Sequence, residues 1–146
     1  MVVVQPTTYG TDNSCQLEAM KSFGENARGV MVADLSATDE ELERLTGLGV
    51  RGVRFHMLPG GALPWDILAE MAARVNNFGW HVQLQMNGRE LPAREALLKG
   101  LPCDLVVDHV GRFMGPVPTD DPAFKVLLQF LETCLLYTSP SPRDRS

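Results

Sequence analysis

The sequence predicts an α/β fold and, within that class, a partial TIM (β/α)8 barrel rather than an open sheet. Short apolar, β-branched runs alternate with segments of helical spacing, five times in succession between Val2 and Leu131. Such alternation forces parallel strands joined by right-handed helical crossovers. The faces of the strands choose the barrel. In "VRGVRFHML" at 50–58 and "WHVQLQMN" at 80–87, apolar side chains take one face and polar ones the other. A central strand of an open parallel sheet is covered by helices on both sides and reads apolar on both. A barrel strand turns one face into a lumen, and the C-terminal mouth of that lumen carries the reactive groups.

Each element has its own local reason. "VVVQP" at 2–6 is β-branched and stopped by Pro6, which makes it a strand. Asp12 or Asn13 then caps a helix whose Leu17, Met20 and Phe23 recur at helical spacing. "ARGVMVADL" at 27–35 is the second strand. Thr38 and Glu41 form an S/T-x-x-E capping box ahead of Leu42, Leu45 and Leu48, and Gly49 stands where a helix C-terminus favours glycine. After the strand at 50–58, Trp65, Leu68, Met71, Ala72 and Val75 trace an apolar helix face that ends at Gly79. The strand at 80–87, the short helix "LPAREALLKG", the strand "CDLVVDHVG" at 103–111 and a helix through Phe124, Leu127, Leu128 and Leu131 complete the series.

Composition narrows the partners. The chain has 146 residues with 45% apolar and 21% charged side chains, enough for one domain with a real core. A formal net charge of −5 leaves no basic face for a phosphate backbone, so no nucleic-acid partner is expected. No run approaches the roughly 18 apolar residues of a membrane span, and "MVVVQP" is too short for a signal peptide. A cytoplasmic location is the default expectation. Cys15, Cys103 and Cys134 form neither an even set nor a CxxC pair, which predicts reduced thiols rather than disulfides or structural zinc.

The end of the chain reads differently. "CLLYTSPSPRDRS", residues 134–146, shifts abruptly to Ser, Pro and Arg. Its first eleven residues resemble one translated frame of a transposase adapter used in DNA sequencing. The expected organisation is therefore a partial barrel domain over 1–133 and a non-native, disordered tail over 134–146.

Strand parity selects the candidate site. Val53, Phe55 and Met57 share one side of their strand, leaving Gly52, Arg54 and His56 on the other. Likewise Val82, Leu84 and Met86 oppose His81, Gln83 and Gln85. In the first strand Val3, Gln5 and Thr7 oppose Val2 and Val4. In "LVVDHV" Leu105, Val107 and His109 align, which sends His109 into the lumen and turns Asp108 away toward Arg112. Arg54 cannot shed its proton, so it requires an anionic partner, either a structural carboxylate or a substrate oxygen. His109 at a strand end suits carbonyl polarisation or proton transfer. His56 and Gln85 are either substrate contacts or internally bonded wall residues. Thr7 and Tyr9 follow the first strand at the mouth, where Asp12 or Asn13 serves as a helix cap. No HxH or HExxH pair is present, and no metal or other cofactor is expected.

"VVVQPTTYGTDN", "ARGVMV", "GVRGVRFHML", "GWHVQLQMNG" and "LVVDHVGR", in this order, resemble the amidohydrolase superfamily (amidohydrolase 2 type). The branch they match holds 2-pyrone-4,6-dicarboxylate lactonase, galactarolactone-processing enzymes and related lactonases. The resemblance spans about residues 2–132 and implies strands two to six of the parent barrel. It also implies that the first strand with its HxH pair and the last two strands, including a catalytic aspartate, lie outside this sequence. It assigns Arg54 and Thr7 to substrate contact and His109 to the superfamily's sixth-strand histidine. Where the pyrone dicarboxylate lactonase has an arginine and a tyrosine, this chain has Gly60 and Gln85, so a carboxylate clamp is lost and a hydroxylated sugar lactone is favoured. The implied activity is metal-independent opening of a lactone ring by water attack on the carbonyl. Lactone isomerisation and metal-dependent decarboxylation are the enzymatic alternatives, and an inactive truncated fragment is the other. The partner is a small lactone or carboxylic acid. Open strand edges at 2–5 and 104–110 predict aggregation of the isolated piece.

Overall fold

The computed structural model describes residues 1–133 and 136–139. Five β-α units follow one another: β1 (Val2–Val4), α1 (Ser14–Phe23), β2 (Arg28–Met31), α2 (Asp39–Gly47), β3 (Val50–His56), α3 (Leu68–Asn76), β4 (His81–Gln85), α4 (Leu91–Lys99), β5 (Leu105–Asp108) and α5 (Pro122–Glu132). A sixth strand, β6 (Leu136–Ser139), closes the series. The sheet order is β1-β2-β3-β4-β5-β6 with every pair parallel, the layout of a half barrel.

The helix-facing side of the sheet is the core. Val53, Phe55, Val82, Leu84, Met86 and Val107 are fully buried there, against Leu42, Leu68, Met71, Val75 and Leu127. Each such side chain contributes roughly 1.5–3 kcal/mol by leaving water, as an upper figure. The opposite, concave side is polar toward the strand C-termini.

The local signals behave as their chemistry requires. Thr38 Oγ1 accepts from the Glu41 N–H at 3.2 Å, and Gly49 takes φ +99° just beyond the end of α2. At α1 the two capping candidates divide the work. The Asp12 carboxylate accepts from the Ser14 N–H at 3.0 Å, while the Asn13 amide donates to Val32 O at 2.8 Å and accepts from the Val32 N–H at 3.1 Å. Asn13 thereby ties the start of α1 to the chain leaving β2.

Two expectations are corrected. In β1 the exposed pair is Val2 and Val4, whereas Val3 packs on the core and Gln5 is fully buried. The Val3–Gln5 face therefore meets α1, where the Gln16 amide donates to both Val3 O and Val30 O. A three-valine strand carries no alternation that could have fixed its parity. The second correction concerns the tail. Residues 136–139 stand beside β5, with Leu105 opposite Leu136 and Asp108 opposite Ser139. Leu-Tyr-Thr has strand propensity, and β5 offers it a row of backbone donors and acceptors. Residues 134–135 and 140–146 of the expected disordered tail lie outside the described residues. Among the described residues no helix is long and apolar enough to cross a membrane.

Candidate active site

The parallel register builds the site sideways. β3 and β4 set Arg54 beside Gln83 and His56 beside Gln85, so their side chains rise from neighbouring strands toward the same mouth. Asp108, the last residue of β5, completes the row. Leu105 and Val107 face the helices, so strand period puts Asp108 on the concave side.

Asp108 is the hub. Its carboxylate is 2% exposed, yet both oxygens are engaged: Oδ2 with Arg54 Nη2 at 3.2 Å and Oδ1 with the Gln83 amide at 2.7 Å. A buried carboxylate is tolerated only when paired and hydrogen-bonded in this way. Arg54 spreads further, donating through Nη1 to Gln5 O at 2.8 Å and through Nη2 to Gln85 Oε1 at 2.6 Å. Arg54 thus forms the structural ion pair of the first alternative, and it also lines a recess with Gln5, Thr7, His56 and Leu63. The Asp108 partner is Arg54 and not Arg112, because apolar Leu105 and Val107 fix the parity opposite to the one expected.

His56 Nδ1 lies 3.0 Å from the same Gln85 oxygen. Burial above all, aided by the charges of Arg54 and Arg112, holds this imidazole below its ordinary titration range, against the Gln85 hydrogen bond and Asp108. His81, at the other end of β4, is depressed by burial as well and packs its ring over Gly52. A histidine whose folded value lies below its unfolded one adds stability that is complete above about pH 6.5 and is lost as pH falls. Lowering the pH from about 7.5 to about 5.5 is therefore expected to reduce the thermal midpoint, and His56→Gln should make that dependence shallower. An unchanged slope in the variant would remove His56 from the titration.

His109 does not join the row. The strand ends at Asp108, and the chain turns through four consecutive residues of positive φ: His109 (56°), Val110 (51°), Gly111 (80°) and Arg112 (45°). Arg112 N donates to His109 O at 2.9 Å, closing one left-handed turn. For each of its three non-glycine residues this conformation costs about 1–2 kcal/mol. The surroundings enforce it: a Cβ on Gly88 would meet Gly111 O at 2.5 Å and the Phe113 ring at 2.7 Å, so the two loops touch backbone to backbone. The turn carries His109, whose Nδ1 is buried without a partner among the described residues, and Arg112, whose charge reaches His56. Gln5 Oε1 and Arg54 Nε are likewise buried without a partner among the described residues.

Of the remaining candidates, Gln85 is buried and joins Arg54 to His56, while Thr7 is exposed on the recess. Tyr9 stands half exposed in the short turn after β1, and no hydrogen bond of its hydroxyl is present among the described residues. The sequence places Gln83 on the polar face but gives it no role, turns Asp108 to the opposite face, and does not signal the left-handed turn. The alternation of Leu105 and Val107 was the signal for Asp108; nothing in "DHVGR" signals the turn. Among the described residues no group of three His, Cys, Asp or Glu side chains is placed to hold a metal ion, so these residues by themselves do not fit one.

The family model described as Amidohydrolase matches residues 1–142. The chain belongs to the amidohydrolase family. Among curated relatives, this amidohydrolase chain is 39% identical over 132 residues to a 2-pyrone-4,6-dicarboxylate hydrolase of Comamonas testosteroni, covering 89% of the chain and 43% of the relative. It is 30% identical to a D-galactarolactone isomerase of Agrobacterium fabrum, covering 90% of the chain and 45% of that protein. An apo crystal structure from Agrobacterium tumefaciens superposes with a TM-score of 0.91 at 28% identity, over 99% of the chain and 54% of the solved one. The chain thus spans less than half the length of these curated relatives.

Proposed function

We propose that this amidohydrolase chain is the part of a lactone-processing enzyme that holds the substrate carbonyl, and that the complete enzyme hydrolyses a lactone without a metal ion. The observation that carries this reading is the joining of Arg54, Gln85 and His56 at the C-terminal ends of β3 and β4, with the His109 turn following the same end of β5, where barrel enzymes work. A water molecule, deprotonated by a carboxylate from outside this chain, adds through its oxygen to the ring carbonyl carbon. Arg54 and His109 stabilise the negative charge that collects on the carbonyl oxygen. The bond from the acyl carbon to the ring oxygen then breaks. The ring oxygen takes a proton and leaves as a hydroxyl, and the acyl group ends as a carboxylate. Thr7, Tyr9, His56 and Gln85 bind the remainder of the substrate, a small sugar-acid or aromatic-derived lactone. We place the enzyme in the cytoplasm, in keeping with the free thiols of Cys15 and Cys103.

The identity to a galactarolactone isomerase supports a second reading, in which a substrate hydroxyl replaces water and the ring size changes. The two differ in the source of oxygen. Turnover of sugar-acid lactones by the complete enzyme in 18O-labelled water is expected to place one labelled oxygen in the product carboxylate. A rearranged, unlabelled lactone would establish isomerisation instead, and the absence of turnover of any lactone would refute both.

A further inference from the structure

We infer that His56 is a specificity-determining residue whose Nε2 accepts a hydrogen bond from a hydroxyl of the substrate. The inference rests on the lactone reading and deepens it by naming a chemical group the substrate must carry. The argument runs along a chain of donors and acceptors. Arg54 can only donate, so the Gln85 atom 2.6 Å from Nη2 is the carbonyl oxygen, and the amide cannot be turned around. The same oxygen lies 3.0 Å from His56 Nδ1. Since that oxygen can only accept, Nδ1 must carry a proton. A neutral imidazole protonated at Nδ1 has its lone pair on Nε2.

The neutral form is the one the surroundings favour. The charged groups facing His56 are Arg54 on its own strand, Arg112 from the left-handed turn and Asp108 from β5; burial first, and then the two arginines, hold the ring below its ordinary range against the Gln85 hydrogen bond and Asp108. Asp108 is itself occupied by Arg54 and Gln83, which limits how far it can draw a proton to His56. Nε2 has no hydrogen-bond partner among the described residues, and His56 lines the recess shared with Thr7 and Arg54. A lone pair offered there attracts a hydroxyl and repels a carboxylate oxygen, which also has only lone pairs to offer. Arg54 therefore does two things: it holds Asp108, and it sets through Gln85 which nitrogen of His56 faces the substrate.

The test compares a hydroxylated lactone with the analogue lacking that hydroxyl, each assayed on the complete enzyme. Wild type is expected to favour the hydroxylated lactone by about ten- to a hundredfold in kcat/KM. His56→Phe should cut that preference to within about threefold. His56→Asn retains an accepting oxygen and should keep most of the preference. Its preference should also be independent of pH, whereas that of wild type should fade as acid protonates Nε2. This variant reads the same role should His56→Phe fail to fold. A hydroxyl preference untouched by His56→Phe, or unchanged with pH in wild type, would overturn the inference. Turnover of neither lactone by wild type would overturn the lactone reading as well, whereas equal turnover of both would overturn this inference alone.

Discussion

Replacing Arg54 with alanine is expected to destabilise the protein by about 3–5 kcal/mol, because it leaves the Asp108 carboxylate charged and 2% exposed with only the Gln83 amide as partner. The same change strips Gln85 of its donor and removes the reason for His56 to hold its proton at Nδ1. Loss of activity in this variant alone would therefore say little about chemistry. A double-mutant cycle separates the effects. Arg54→Met combined with Asp108→Leu replaces both charges by apolar side chains and is expected to recover most of the stability, since a well-packed apolar pair can equal a buried ion pair. On the proposed lactone reading the double variant should nevertheless stay inactive, because the cation assigned to the carbonyl is gone. Urea unfolding of Arg54→Met, Asp108→Leu and the double variant measures the cycle. A stability loss below about 1 kcal/mol in Arg54→Ala would mean that Asp108 gains water or another partner and is not the hub described.

The fold was legible because periodicity and caps agree over almost the whole chain. The Thr38–Glu41 box, the apolar faces of α2 and α3, and the split faces of β3 and β4 all point to parallel strands with one polar side. The site was legible only as far as that alternation was followed. Arg54, His56 and Gln85 come together as the period-two rule requires. Applied to Leu105 and Val107, the same rule would have put Asp108 in the row. The left-handed turn was out of reach, since its conformation is set by a contact between two loops, Gly88 against Gly111, and not by local preference. The face of Gln5 was not legible, because β1 is a run of valines with no alternation to fix its parity.

Neighbouring glycines after β3 supply the second large effect. Gly60 takes φ +94° with open space around its missing Cβ. Gly60→Ala should cost only the conformational strain, about 1–2 kcal/mol, since no neighbour has to move. Gly61 has no such φ, but a Cβ built there would overlap the carbonyl oxygen of His56 and lie 2.9 Å from its carbon. Both obstructing atoms are backbone, so no side chain can swing away, and the segment 57–61 must lift off the end of β3. The cost is that of overpacking at a rigid contact, about 1–3 kcal/mol or more. The chain returns from this turn to Ala62 and Leu63, which line the recess opposite Arg54 and His56. Gly61→Ala is accordingly expected to raise KM for the lactone by tenfold or more while kcat changes less. Gly60→Ala should lower the thermal midpoint with KM little altered. Equal KM values in the two variants would show that the loop does not shape the recess, and that the tight passage of Gly61 beneath His56 serves folding alone.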